Sequence, residues 1–461
     1  MSTNWDTIRH FVQEKQSCGD DSPFYVTNLS TVLNQLRKWQ SLLPKIQPYY
    51  AIKANPDPAI IRLLALMGCN FDCASKGEID QVLALGLNPQ RIIYANTIKA
   101  PSSIKYASSR GVDLMTFDNE IELEKIANTF PEAKLVLRIA VSDPTALAKL
   151  NSKFGCEPTE KAPKLLQKAK DLGLNIVGIS FHVGGGSKNP AVYEEAIGHA
   201  RKLFDIGKTL GFENLYLLDI GGGYPGFCTE TISLAQVAFV VNNAVQTHFA
   251  DLDNIKVISE PGRFFAQMSS TLVLNVIGKK RVSADKITEE AVNAIYDGFM
   301  YYVNDGVFGS FNCTPVYDIT IPCIALGKDY TNLRWCRIWG PTCDSVDLLC
   351  KKYLLPELDI GDWLVYDYMG AYCSCINSNF NGFESPEVKY IITQTDSAYL
   401  KSIVNGDWSE ELLKKKYGKI EFFISRCDSA IQMDSGLSSE ADNLSIRSSN
   451  SFVNDEEVAC D

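Results

Sequence analysis

Eight short apolar runs, each closing on a polar, charged or glycine residue, constrain this chain more than any other feature. They read YYAIK from Tyr49, FDCAS from Phe71, RIIYAN from Arg91, VDLMTFD from Val112, LVLRIA from Leu135, IVGISFHV from Ile176, YLLDIGGG from Tyr216 and KVISEPGR from Lys256. Runs rich in β-branched and aromatic residues, separated by longer stretches of helical composition, predict parallel strands buried on both faces. Eight in series predict a closed (β/α)8 barrel of the TIM type, in which chemistry collects where the strands end. Those ends carry Lys53, Asp72, Asn96, Asp118, Arg138, His182, the glycine run from Gly221, and Glu260 with Arg263. One rim therefore gathers an amine, carboxylates, an imidazole, guanidinium groups and a glycine loop.

The barrel accounts for only part of 461 residues, so a second core is expected. After Arg263 the helical spacers disappear. SSTLVLNVIGKKR, FMYYVNDG, YDITIPCIA, LRWCRIWG, DWLVYDYMGAY and VKYIITQTD read as strands of a mostly antiparallel β domain, with turn chemistry at Asn304-Asp305-Gly306 and from Asp359 through Asp362. The charged stretch from Lys279 to Tyr296 reads as a surface excursion. From about Arg426, Ser, Asp, Asn and Glu dominate, which predicts a disordered acidic tail. The expected organisation is an N-terminal segment at 1–23 packing with the β domain, the barrel at 24–265, the β domain at 266–425 and the tail at 426–461.

A formal net charge of -11 leaves no electrostatic footprint for nucleic acid, whose phosphates call for clustered Lys and Arg. The N-terminal MSTNWDTIRHFVQEK is charged where a signal peptide needs an apolar core, and no apolar run is long enough to span a bilayer, so a cytoplasmic chain is expected. Fourteen cysteines without a CxxC pair then point to reduced thiols, and Cys373 with Cys375 is too isolated for a zinc site, so no metal is expected.

YYAIKAN, FDCASKGEID, FHVGGGS, LLDIGGGYPG, SEPGRFF, YYVNDGVFGSFNC, WGPTCDSVD and MGAY, in this order from about Phe24 to about Thr393, resemble the eukaryotic ornithine decarboxylases. These are group IV pyridoxal-phosphate decarboxylases with an alanine racemase-like barrel and a β domain. The resemblance implies conversion of L-ornithine to putrescine and carbon dioxide, the first step of polyamine biosynthesis.

Residue chemistry agrees with it. A pyridoxal-phosphate enzyme needs an amine that joins the cofactor aldehyde, and Lys53 is the candidate, since a desolvated strand-end lysine loses its proton more readily than one in water. Glu260 suits the pyridine nitrogen, which an anion keeps protonated. Pro261-Gly262-Arg263 adds a tight turn and a cation for the phosphate. Side chains at Gly221, Gly222 and Gly223 would obstruct backbone amides approaching that phosphate. By resemblance, Tyr372 reaches the phosphate from the β domain and His182 lies flat against the ring. Asp72 and Arg138 support the lysine and the cofactor, although each also suits a structural ion pair. Tyr317, Asp318 and Asp344 match the part of the family's site that faces the distal ammonium of a basic substrate, and Cys343 matches its proton donor to Cα. The family places Cys343 and Asp344 opposite Lys53 of the partner subunit, implying a homodimer with shared sites.

Several positions depart from the family. Gly185 stands where a serine usually contacts the phosphate, leaving Ser187 to compensate; Phe308 replaces a common tyrosine; and an extra residue near Pro315 precedes Tyr317-Asp318, which leaves lysine open as a substrate beside ornithine. A catalytically inactive regulator resembling the antizyme inhibitors is the main alternative, and racemase-like chemistry leaves the paired carboxylates without a cation. The segment from Lys105 to Lys125 resembles an antizyme-binding region, making antizyme a candidate partner, and Asp434 to Ser439 resembles a phosphodegron.

Overall fold

The computed structural model describes residues 5–227 and 232–403 and the strand at 422–425. The tail expected beyond Arg426, with its phosphodegron-like stretch, lies outside the described residues.

All eight expected runs form strands, and they close in chain order into one parallel barrel. A first strand, β1 (Phe24–Asn28), precedes them. The barrel comprises β2 (Ile46–Ala51), β3 (Asn70–Cys73), β4 (Ile92–Tyr94), β5 (Leu114–Phe117), β6 (Lys134–Ile139), β7 (Asn175–Phe181), β8 (Leu217–Asp219) and β9 (Lys256–Ser259). Side chains alternate across each strand. Tyr49, Ile93, Val136, Val177, Leu217 and Ile258 therefore meet as a buried layer inside the barrel, while Ile46 and Tyr50 face outward into the core beneath the helices. Polar caps start several of the helices just past the rim and so fix where those rim loops end. Asp57 accepts from the Ala59 and Ile60 amides at 2.9 and 3.2 Å ahead of Pro58–Leu66, Ser75 caps Lys76–Leu83, and Asn119 caps Glu120–Thr129.

The second sheet contains β10 (Ser270–Ser283), β11 (Asp297–Val303), β12 (Ile324–Ala325), β13 (Leu333–Trp339), β14 (Leu348–Pro356), β15 (Trp363–Tyr366), β16 (Glu387–Thr393) and β17 (Phe422–Ser425). It also contains β1, which lies antiparallel to β10 and parallel to β16. A barrel beginning at residue 24 is thus corrected: Phe24–Asn28 is a strand of the second body, and the barrel starts after the helix Leu29–Leu42. The N-terminal helix Trp5–Ser17 packs Ile8, Phe11 and Val12 onto Phe24, Val26, Val273, Trp363, Val365 and Ile391 of this sheet.

Other expectations in the β domain also change. YDITIPCIA keeps only the two-residue β12, because Cys313–Tyr317 turns helical and Asp318 adopts a left-handed conformation at φ 46°. Lys279–Ser283 pairs with β11 instead of looping outward. Only the following residues, with short helices at Asp285–Thr288 and Ala291–Ile295, form the excursion.

Candidate active site

Lys53 lies in a single helical turn, Ile52–Ala54, where β2 leaves the barrel, and its Nζ donates to Oδ2 of Asp72 at the end of β3. Asp72 is fully buried, and its Oδ1 has no partner. Two opposed effects act on Lys53. Burial, the largest, pulls its pKa down even though 40% of the side-chain surface remains accessible; the charges of Asp72 and Glu260 push it up, and the balance is upward. The expectation of an easily deprotonated lysine is therefore corrected: with no cofactor bound, the two carboxylates hold it as an ammonium ion.

Across the rim, Glu260 follows β9 and is hydrogen-bonded to the carboxyl of Asp219, the last residue of β8. Burial is the main cause raising both: Asp219 is pushed up to about 7, and Glu260 well above the carboxylate range with the charges of Asp219 and Asp72 adding to the effect. Adjacent buried carboxyls of this kind hold a proton between them. Asp219 also accepts from the Gly221 amide at 2.9 Å through Oδ1, while its Oδ2 lacks a conventional donor. Sequence reasoning missed Asp219 because a carboxylate before a glycine run reads as a turn former. It also missed Glu78, whose carboxylate accepts from the Ala74 amide and feels the charges of Asp72 and Lys53. His182, at the end of β7, accepts from the Gly184 amide at 2.9 Å through Nδ1. Burial, then the positive charges of Arg138 and Lys53, hold it well below the ordinary imidazole range, so it is neutral. The Arg138 guanidinium lies over the Phe154 ring at 5.2 Å.

The glycine run has the close approaches its sequence implies. A Cβ on Gly221 would stand 2.1 Å from the Phe181 carbonyl oxygen; one on Gly222, 2.7 Å from the Glu260 backbone carbonyl oxygen and 2.8 Å from His182 Nε2; and one on Gly223, 2.5 Å from a Val183 methyl. The turn at Pro261 and Gly262 is equally tight: the Pro261 carbonyl accepts from the Ala51 amide at 3.3 Å, and a Gly262 Cβ would meet the Ala54 Cβ at 2.8 Å. Arg263 places its guanidinium 5.0 Å from the Tyr372 ring centre. Tyr372 belongs to the second body, yet its amide donates to the Ala54 carbonyl at 2.8 Å, beside Lys53. Its φ of 57° is costly for a bulky residue and is held by these contacts. Gly185, by contrast, exchanges backbone hydrogen bonds with Ala148 at 2.9 and 3.1 Å, so its amide is already engaged. Ser187 is buried against Asp143.

The remaining expected residues lie apart. Cys343 and Asp344 are exposed on the β domain, where the Cys343 amide donates to Asn381 Oδ1 at 3.0 Å and Asp344 accepts from Val346 at 2.8 Å. Asp318, beside the half-exposed Tyr317, forms an exposed ion pair with Lys351 at 3.0 Å. Among the described residues, no hydrogen bond or ion pair connects any of them to Lys53.

The rim fits pyridoxal phosphate: an amine, a buried carboxylate oxygen without a partner, a raised carboxyl pair and a cradle that any Cβ would fill. The family model described as "Pyridoxal-dependent decarboxylase, pyridoxal binding domain" matches residues 29–267, beginning where β1 ends. An ornithine decarboxylase of Panagrellus redivivus is 46% identical over 84% of this chain and 88% of its own length. Antizyme inhibitor 2 of Xenopus laevis is 41% identical over 84% of each. The crystal structure of the Paramecium bursaria Chlorella virus arginine decarboxylase superposes with a TM-score of 0.77 at 33% identity, covering 84% of this chain and all of that one. With the family model spanning its barrel and relatives of this similarity along most of its length, the chain belongs to the pyridoxal-dependent decarboxylases.

Proposed function

We propose that the chain decarboxylates L-ornithine to putrescine and carbon dioxide, opening polyamine biosynthesis. The observation that carries this reading is the convergence of Lys53, Asp72, Glu260 and the Gly221–Gly223 cradle on one rim. Bound pyridoxal phosphate supplies an electron sink for the charge left at Cα when carbon dioxide departs. The chain does the rest. Lys53 is the amine that would hold the aldehyde, with Asp72 as its counter-ion. Glu260, backed by Asp219, would meet the pyridine nitrogen; a cation there relieves the crowding of three buried acids. The glycine amides, Arg263 and Tyr372 would grip the phosphate, and neutral His182 can lie against a cationic ring without repulsion.

The proton donor to Cα and the carboxylates for the distal ammonium would come from Cys343, Asp344 and Asp318. We assign Cys343 and Asp344 to the site of a second copy in a homodimer, because Val346, Phe380 and Phe383 leave exposed apolar surface near them. Release of carbon dioxide from individual basic amino acids in the presence of pyridoxal phosphate tests the reading: ornithine should be turned over fastest. Equal or faster release from lysine or arginine rejects the substrate, and release from none rejects the enzyme.

A regulator without catalysis is the second reading, favoured by the antizyme inhibitor among the relatives. It gives no reason for the buried acids around Lys53. A purified chain without the near-violet absorbance of a lysine-held cofactor would favour it. Antizyme is a candidate partner on the same resemblance. A cytoplasmic location is supported by the eleven free cysteines among the described residues; no described helix is long and apolar enough to cross a membrane.

A further inference from the structure

The motif YYAIKAN ends on Asn55, a residue that the machinery above leaves unused. Asn55 caps the single turn Ile52–Ala54 that carries Lys53, and it is only 5% exposed. A buried amide needs partners at both ends, and Asn55 finds them in two different bodies. Its Oδ1 accepts from the Asp57 amide at 3.0 Å, closing a local turn, while its Nδ2 donates to the Gly370 carbonyl of the β domain at 2.9 Å. The backbone is held as well. The Asn55 amide donates to the Ile52 carbonyl at 3.0 Å, and its carbonyl accepts from the Tyr50 hydroxyl at 2.9 Å.

Gly370 is as constrained as its partner. A Cβ there would collide with the Ala266 carbonyl, at the end of the helix Arg263–Ala266, and the Gly370 amide donates to the Gln267 carbonyl at 3.1 Å. Tyr372, a little further on, donates its amide to Ala54 and lies against the Arg263 guanidinium. The Asn55–Gly370 bond thus closes a ring of contacts: from the lysine's turn to Gly370, from there to the end of the Arg263 helix, and from Tyr372 back to Ala54. Lys53 stands on one side of that ring and the Arg263–Tyr372 pair on the other. A second bond ties the same stretch to the β domain, from the Tyr390 hydroxyl to Asp57 Oδ2 at 2.6 Å, but it leads to Glu387–Thr393 instead of the Tyr372 segment.

We propose that Asn55 is a positioning residue: through Gly370 it fixes the separation between the Lys53 amine and the phosphate grip of Arg263 and Tyr372. This rests on the placement of the cofactor proposed above. A ligand anchored at two ends binds tightly only when both anchors stand at its own length, because the second contact then forms at high effective concentration. Pyridoxal phosphate is such a ligand, with an aldehyde for the amine and a phosphate for the grip. Without the Asn55 amide, the Gly370 carbonyl loses its donor, the segment leading to Tyr372 relaxes, and the two anchors no longer match. Each anchor survives on its own.

The test compares the full-length parent with Asn55→Ala, Asn55→Ser and Tyr390→Phe. Serine can still accept from the Asp57 amide, as short hydroxyl side chains do at turns, but it does not reach Gly370. Tyr390→Phe removes the other bond between this stretch and the β domain. Each cofactor-free chain is titrated with pyridoxal phosphate and with 4-deoxypyridoxine phosphate, which keeps the ring and phosphate but has no aldehyde. Affinity for pyridoxal phosphate should fall about tenfold in both Asn55 variants, affinity for the deoxy compound by no more than about twofold, and Tyr390→Phe should change neither by more than about twofold. Without ligand, hydrogen exchange in the peptide around Tyr372, followed by mass spectrometry, should be about tenfold faster in the Asn55 variants and unaltered in Tyr390→Phe. A parent-like Asn55→Ser would reduce Asn55 to a local turn former. Equal losses for both ligands, or the same losses in Tyr390→Phe, would mean a general loosening of the two bodies, and either result overturns the proposal. If Asn55→Ala fails to fold, Asn55→Ser carries the comparison. A parent chain that binds neither ligand defeats the cofactor placement, while hydrogen exchange still judges the tie from Asn55 to Gly370.

Discussion

The barrel rim and the loop bearing Cys343 are built in opposite ways. At the rim, Asp72 and Asp219 are fully buried, Lys53 and Glu260 act on each other's proton affinities, and the Lys53 charge helps to lower that of His182. At the loop, Cys343 and Asp344 are exposed, and among the described residues their hydrogen bonds stay within the β domain. Burial makes each charge at the rim depend on its neighbours. Exposure leaves the loop groups without a shaped environment until something covers them. One region reads as a finished cofactor seat, and the other has the exposure that the shared site proposed above requires.

The comparison breaks most sharply at Lys53. Lys53→Ala should lower the decarboxylation rate by roughly a thousandfold or more and abolish near-violet absorbance. Cys343→Ala should cost about 10²–10⁴-fold, the scale of a lost proton donor, while cofactor absorbance persists. Mixing the two chains should restore up to about a quarter of parent activity, the share that random pairing into dimers leaves intact. A mixture as inactive as its parts would mean that the loop serves its own barrel or none.

Gly222→Ala should weaken pyridoxal phosphate binding by about tenfold or more, because its Cβ would sit 2.7 Å from the Glu260 backbone carbonyl oxygen. Titration of cofactor absorbance measures this. A smaller effect should come from Asp219. Burial raises its carboxyl to about 7, so between the ordinary value near 4 and about 7 the folded chain keeps a proton that the unfolded chain has released. Stability of the cofactor-free chain therefore falls as pH rises through that window. Asp219→Asn should flatten the dependence by on the order of 1 kcal/mol, read as a smaller difference between melts at pH 4 and pH 8. An unaltered difference would place the shared proton elsewhere. The mildest change is Gly185→Ser, whose Cβ meets only the Ala148 Cβ at 3.4 Å. It should alter cofactor affinity by no more than about threefold, since the backbone there is already paired.

Much of this was legible in the sequence because barrel strands end in the residues that do chemistry, so finding the strands located the rim. The signs and partners at that rim were less legible. Lys53 was expected to lose its proton easily, and only the placement of Asp72 and Glu260 reverses that. Asp219 becomes informative once it is known to be buried against Glu260. β14 escaped notice since Lys351 and Lys352 interrupt its apolar pattern. YDITIPCIA looks like a strand by composition, but its backbone is claimed by a helical turn and by Asp318 in the left-handed region. Phe24–Asn28 has an ordinary strand sequence, and nothing local says which sheet it joins.

The chain makes β1, then the whole barrel, and only then the strands that flank β1. A nascent polypeptide thus emerges with an apolar ribbon that stays unsatisfied until Ser270 and later residues have been synthesised. Dividing the gene at the barrel's end would strip the downstream half of its central strand, so neither fragment should be recovered intact, and the enzyme matures as one unit late in translation.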